Sequence, residues 1–431
     1  MPDQQPIIVN DNGAWCWFQD ERTLFDAETG RVLVGSVPAA EGPGGHRRAG
    51  NIELTVLDLE SRTSTVVVLH ERLETDDHDV PALWLRPDGR YLAMYAKHKS
   101  DDLSRWRIST DPHDPTRWEP EQHFDWSDLT GGRGATYSNL HFLSEENRLY
   151  NFVRAINDDP SIMISDDHGT SWRFGGKLFT EPKIGYVNGY TRYASNGVDR
   201  IDLITTDHHP RDFDNRIFHG YLAGGALHRT DGTVVDPRLI GSAGTSQTRL
   251  TTIFDSGQVV DGVPLSHAWT TDLRRDAQGS LAAIITCRAG AEDALDDRRF
   301  WYGRLAPGDR EWRVRPLAKA GGALWSAEQD YTGLGVIDPA DPDVVYLSTT
   351  VDPADGAALD HHEIFRGRTG DQGESWEWQP ITRNSGRDNL RPIVVPGVPD
   401  RTVLLWFRGT MTRSQHYATE VVARILPRVA S

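Results

Sequence analysis

Two cysteines, Cys16 and Cys287, are all that the 431 residues contain. That excludes a disulfide framework and the paired spacing of a zinc knuckle, and leaves either two buried thiols or one long-range bridge. No apolar run approaches the roughly 18 residues that a spanning helix needs, so no membrane segment is expected. Long amphipathic helical stretches are nearly missing too, which argues against a helical fold. Positive charge is scarce: 46 Lys and Arg face 63 Asp and Glu, a net charge of -17. This is the wrong sign for a partner of nucleic acid or anionic lipid, and an anionic ligand would have to meet a local basic pocket. The opening residues carry neither the basic stretch nor the apolar run of a secretory leader, so the protein is expected in the cytoplasm. Aromatic surface, by contrast, is plentiful. With 14 Trp, 12 Tyr and 13 Phe, the chain has ample material for a core and is not disordered.

Short β-rich runs bounded by Gly, Asp, Asn or Pro fill the chain, for example at 31–37, 65–69, 91–95, 281–286, 344–348 and 402–407. Hairpin signals stand between them at Pro87-Asp88-Gly89-Arg90, Asp231-Gly232 and 276–279. The fold class is therefore all-β. An internal repeat narrows it. Ser165-x-Asp167-x-Gly169-x-Ser171-Trp172 and Thr369-x-Asp371-x-Gly373-x-Ser375-Trp376 match the Asp-box pattern, with weaker copies at Asp111 and Trp118 and at Asp309 and Trp312. In that pattern Asp folds back onto a turn, Gly takes positive φ and Trp wedges between sheets. The boxes are structural, and no chemistry is assigned to them. Their spacing implies a unit of roughly 60 residues, so the chain is expected to form one domain, 1–431, a seven-bladed β-propeller.

Hairpin geometry then selects candidate site residues. His78 precedes one strand, and His98 follows the strand that returns after Asp88-Gly89; a hairpin brings its two ends to the same rim. Tyr137 and Arg154 bracket the next hairpin in the same way, and Arg192 and His208 the one after. Two His, a Tyr and an Arg on adjacent blades would form one polar cluster.

The chain resembles the BNR-repeat seven-bladed propellers that include ulvan lyases and rhamnose–glucuronate lyases. The resemblance rests on 12–18, 76–83, 136–139, 193–200, 209–213, 227–232 and 405–409, and runs nearly end to end. It implies a carbon–oxygen lyase that cleaves at C4 of a uronic acid by β-elimination. His78 and Tyr137 match the family's proton-transfer pair, Arg154 matches the group that neutralises the uronate carboxylate, and His98 assists. Arg192, Tyr193, His208 and Trp269 are expected to bind the sugar. The chemistry calls for these types. The cation lets the carboxylate accept carbanion density, a base removes the C5 proton, and an acid protonates the leaving oxygen. No metal or organic cofactor is required, although the resemblance allows a structural Ca²⁺ or Zn²⁺.

Other readings compete. A glycoside hydrolase would need two carboxylates about 5–9 Å apart, for which Asp76, Asp77 and Asp79 are available; similar propellers that remove rhamnose from glucuronate use a histidine near the N-terminus, here His46. A sialidase would use Arg154, Arg192 and Arg391, which the His-rich rim argues against. A non-catalytic sugar-binding propeller would use Trp84, Trp269 and Trp406 as platforms, residues equally suited to packing between blades. His208, His209 and His219, or His361, His362 and Glu363, are dense enough to ligate a metal but lack a specific spacing. With no basic stripe for a long polyanion, the expected partner is a uronate-containing oligosaccharide cut from its end.

Overall fold

The computed structural model describes residues 5–17, 19–186, 189–291, 296–326 and 328–428. The first four residues, read above for a leader, and Phe18, in one family-like stretch, lie outside the described residues. The described chain is strand and turn throughout, apart from single short helical turns, and its seven sheets, antiparallel except where Ala243–Thr245 pairs in parallel with Arg173–Phe179, form a seven-bladed β-propeller. Blade 1 holds Thr23–Asp26, Arg31–Ser36, Ile52–Asp58 and Ser64–His70. Blade 2 holds Ala82–Leu85, Tyr91–Ala96, Leu103–Ile108 and Gln122–Asp125. Blade 3 begins with Leu140–Leu143 and Arg148–Arg154, blade 4 with Thr191–Ser195 and Arg200–Thr206, and blade 5 with Val263–Arg275 and Leu281–Ala289. Blade 6 opens at Gly335–Asp338 and blade 7 at Asp388–Val394.

From blade 1 to blade 7, the first strand of each blade touches the first strand of the next. The ring is sewn shut by the N-terminus. Ile7–Asn10 joins blade 7 beside His416–Pro427, with Ile7 opposite Ala423 and Ile8 opposite Val422. This pairing covers an edge that would otherwise expose unpaired backbone groups.

Alternating apolar residues bury both faces of each blade against its neighbours. Leu92 and Met94 of blade 2 meet Leu149, Met163 and Trp172 of blade 3, and Val336 and Tyr346 of blade 6 meet Leu404 and Trp406 of blade 7. Trp406 is fully buried and donates to Asn389 Oδ1 at 2.8 Å, while Trp84 packs on Phe142 at 5.2 Å. Both are wedges between or within blades rather than sugar platforms. Cys16 and Cys287 are both buried and are not joined in a disulfide.

The two full Ser/Thr-x-Asp-x-Gly-x-Ser-Trp turns have superimposable bonding. Asp167 Oδ1 accepts from Ser171 N at 2.9 Å and Oδ2 from Ser171 Oγ at 2.6 Å; Asp371 accepts from Ser375 at the same two distances. Gly373 has φ of 91°, and a Cβ there would lie 2.6 Å from Cδ1 of Tyr302 on the preceding blade, whose ring Trp376 contacts edge-on at 5.1 Å. The glycine thus provides both the left-handed turn and the close approach of one blade to another. Gly373→Ala is expected to lower stability by about 1–3 kcal/mol in urea unfolding, because strain and overpacking act together there.

Candidate active site

Asp77–Asp79 forms a single 3-10 turn just before blade 2, and the Asp76 side chain caps it by accepting from His78 N at 3.0 Å. After the return strand Tyr91–Ala96 the chain reaches His98. The hairpin turn at Gly89, φ 77°, folds these two points onto one rim, and the imidazoles stack with centroids 3.7 Å apart at 12°. Asp76 lies against both rings: Oδ1 is 2.6 Å from His78 Nδ1 and Oδ2 is 3.0 Å from His98 Nδ1. On blade 3, Thr136 and Arg154 exchange backbone hydrogen bonds of 2.9 and 2.8 Å. Tyr137, at φ 73°, then turns its ring to within 5.6 Å of His78. The Arg154 guanidinium stands 4.7 Å over the Tyr137 ring and donates to Tyr190 Oη at 3.4 Å and to His98 Nε2 at 3.3 Å. The two His, the Tyr and the Arg expected from hairpin spacing are thus in mutual contact across blades 2 and 3.

The protonation pattern follows from these contacts. A guanidinium only donates, so His98 Nε2 must accept, and His98 carries its proton on Nδ1 towards Asp76. Burial, with the adjacent His78 charge, holds His98 down to about 4, so it is neutral at physiological pH. His78 moves the other way: burial opposes its charge, but the adjacent carboxyl groups of Asp76 and Asp77 help to raise it well above the ordinary histidine value. The stacked pair therefore holds one positive charge. Burial pushes the Tyr137 phenol well up, against the pull of Arg154, and its hydroxyl has no hydrogen-bond partner among the described residues. Arg154 is buried, has no carboxylate partner among the described residues, and its Nε is unpartnered.

The expected sugar contacts divide. Tyr193 stacks on Phe152 at 4.1 Å and lines a small cleft with Tyr137, Arg154 and Tyr190. Trp269 is buried on the axis side, edge-on to Tyr190 at 4.9 Å and Tyr331 at 5.6 Å. Arg192 and His208 are corrections. Residues 191–195 are themselves the inner strand of blade 4, so Arg192 lies within the sheet rather than at the rim. Its guanidinium is buried against Glu21 at 3.0 Å and Asp272 at 3.2 Å. His208 turns away to pack on Phe213 at 5.2 Å; its neighbour His209 faces the cluster, 5.2 Å from Tyr190 and 5.4 Å from Trp269. Tyr190 and His209, the blade 4 equivalents of the bracketing positions, were hidden by that misplaced strand boundary. Asp76 gave no signal as a bridge between two histidines, because its role exists only once the hairpin has closed. Of the residues behind the competing readings, His46 is exposed on a short turn, and Arg391 is buried donating to the carbonyls of Cys16 and Gln19.

Two donor sets bring three possible metal ligands within 4.8 Å of one another, Cys16/Asp77/His78 and Asp76/His78/His98. His78 belongs to both, and its Nδ1 is taken by Asp76, whose second oxygen holds His98. The donors thus meet as a hydrogen-bonded network rather than an open coordination sphere. The other His-rich stretches form no such group among the described residues: His361 and His362 lie 3.5 and 3.2 Å from Asp388, and His219 bonds Thr230 at 2.7 Å. A larger cleft of about 470 Å³ lies elsewhere, between Ile7–Asn10 and Ser64–His70. Arg48 there pairs with Asp11 at 2.5 Å and Glu53 at 2.8 Å, so its charges are already matched.

Comparison with known proteins follows the same line. The family model described as BNR repeat-containing family member matches residues 46–320. No curated protein matches the chain. Among solved structures, a PL25 ulvan lyase bound to -[GlcA(1-4)Rha3S]- aligns with a TM-score of 0.66 at 13% identity, over 98% of this chain and 96% of that one. The polysaccharide lyase Uly1 aligns at 0.55 and 11% identity, over 99% and 93%. An α-L-arabinanase of Penicillium chrysogenum is more distant, at 0.44 and 13% over 80% and 92%. These neighbours are carbohydrate-active enzymes, lyases and glycoside hydrolases, and what they share with this chain is the propeller.

The reassignment of Arg192 is open to direct measurement. Arg192→Met would leave Glu21 and Asp272 with Arg274 as their remaining cation, at 2.5 and 3.2 Å, and a loss of about 1–3 kcal/mol in urea unfolding is expected. A near-neutral effect on stability would return Arg192 to the sugar.

Proposed function

The chain belongs to the BNR repeat-containing family, and from that premise we propose that it is a lyase acting on uronate-containing oligosaccharides. It cleaves the bond at C4 of the uronic acid by β-elimination and leaves an unsaturated uronate. The observation that carries this reading is Arg154, a buried cation whose side-chain hydrogen-bond partners among the described residues are Tyr190 and His98. A uronate carboxylate supplies the missing anion. Bound there, it can take up the density that develops as the C5 proton leaves, in a site where burial strengthens the pairing.

The neighbours supply the proton transfers. Tyr137 keeps its phenolic proton and acts as the acid for the oxygen leaving C4. The base is the neutral imidazole of the stacked pair, which at rest is His98; when the substrate carboxylate draws Arg154 away, the Nε2 lone pair is released. His78, held cationic by Asp76, adds positive charge beside the developing dianion. A hydrolytic mechanism would instead need two accessible carboxyl groups, one to protonate the leaving oxygen and one to act as base or nucleophile. Here Asp76 is engaged by both histidines, and Asp77 and Asp79 are fully buried. The net charge of -17 favours a short substrate attacked from its end over a long polyanion. No step requires a metal or an organic cofactor.

Incubation with uronate oligosaccharides should generate a near-ultraviolet chromophore without gain of water by mass spectrometry. A product heavier by one water and lacking the chromophore would point to hydrolysis instead. Tyr137→Phe and His98→Ala should each reduce kcat by about 10²–10⁴-fold with the circular dichroism unchanged. The pH profile has a defined sign. Because His98 sits below its ordinary value, its neutral form is present above about 4 and is lost as pH falls through that value. The rate constant kcat/KM should therefore stay flat at neutral pH and drop below pH about 4.

A further inference from the structure

The innermost strands, which touch one another around the ring, also carry charge to the propeller axis. Arg192 comes from blade 4, Asp272 and Arg274 from blade 5, and Arg391 from blade 7. Asp20, Glu21 and Arg22 lead into the first strand of blade 1, Thr23–Asp26. Arg22, Arg192 and Arg391 are each no more than 2% exposed. Gln19 stands between this cluster and the histidine pair: its Nε2 donates to His78 O at 2.5 Å, and its Oε1 accepts from Arg22 Nε at 3.0 Å.

The pairing leaves positive charge over. Glu21 and Asp272 are each shared by two arginines: Arg192 lies 3.0 and 3.2 Å from them, Arg274 2.5 and 3.2 Å. Asp20 is taken by His141 at 2.9 Å, with Arg192 further off at 3.9 Å. Arg22 and Arg391 pair with no carboxylate among the described residues. Arg22 donates to Gln19 Oε1 and, at 3.2 Å, to Asn139 Oδ1; Arg391 donates to the carbonyls of Cys16 at 3.3 Å and Gln19 at 3.0 Å. Four guanidinium groups thus meet three carboxylates in the interior. Burial holds both Arg22 and Arg391 down to about 10, which leaves them charged at neutral pH. Three buried N–H groups, at Nε and Nη1 of Arg192 and Nη1 of Arg391, make no hydrogen bond among the described residues. Buried donors of this kind are costly unless paired, and the weakly hydrated guanidinium is the cation best suited to hold an anion away from water. Arg274 and Asp20, 16% and 15% exposed, give the cluster a route to solvent.

We propose that the axis binds one small monovalent inorganic anion, of the chloride class, between the unbonded N–H groups of Arg192 and Arg391. The anion completes the charge set where blades 1, 4, 5 and 7 meet, and so acts as a structural ligand of the ring. It does not depend on the saccharide reading, which concerns Arg154.

The test uses the whole chain, with chloride replacing the bulkier methanesulfonate at constant ionic strength. The thermal unfolding midpoint should rise by about 1–2 °C for each tenfold increase in chloride above the dissociation constant. Bromide soaked into crystals of the chain should give an anomalous peak in contact with both Arg192 and Arg391. Arg391→Met removes the surplus charge, and the chloride dependence should vanish with it. If that variant does not fold, the bromide position in the unsubstituted chain decides. A midpoint indifferent to the exchange of methanesulfonate for chloride, or bromide found beside Arg154 and not on the axis, would overturn the site.

Discussion

The site depends on one carboxylate shared between two stacked rings. His78 and His98 lie 3.7 Å apart, too close for both to be charged in a buried setting, and Asp76 between them decides which one is. By bonding His78 at 2.6 Å and His98 at 3.0 Å it fixes both ring orientations, and Arg154 on the far nitrogen of His98 selects that ring as the neutral partner. Two histidines that would titrate alike in water are thereby separated into an imidazolium and a free base. Such separation by environment allows acid and base chemistry to coexist at one pH.

Asp76 is itself positioned by the closure of the ring. Gln415, in the turn before the last strand, donates to the same Asp76 oxygen as His98, and Asp77 N donates to Ser414 O at 3.0 Å. That last strand, His416–Pro427, is the one the N-terminal strand zips onto. Beyond it the chain passes beneath the site: Trp17 Nε1 bonds Thr332 O at 2.6 Å, and Gln19 Nε2 bonds His78 O at 2.5 Å. Both the first and the last strands therefore help to position the residues that open blade 2.

This division explains what the sequence made legible. The rims of blades 2 and 3 could be read because each contact joins two ends of one local hairpin: Asp88-Gly89 sets one return, and Asn147, at φ 46°, sits in the turn of the other. The repeat count was legible for the same reason, since each Asp turn is built from residues within one turn of chain. Arg192 failed because the stretch read as leading up to a strand is itself the strand Thr191–Ser195, which moves a rim residue into the sheet. Gln415, Gln19 and Trp17 reach the site from positions remote in the chain, and no local spacing encodes those meetings.

The unpartnered acids around the site complete the electrostatic picture. Asp79 has neither oxygen hydrogen-bonded among the described residues, and burial, then Asp76, Glu74 and Asp77, raises it far enough to remain neutral. Were it ionised, it would compete with Asp76 for the charge on His78. A buried acid held towards its neutral form leaves Asp76 as the carboxylate that orders the two rings. Raising buried acids in this way lets a chain with so large an acidic excess keep a guanidinium without a carboxylate partner, among the described residues, beside its stacked histidines.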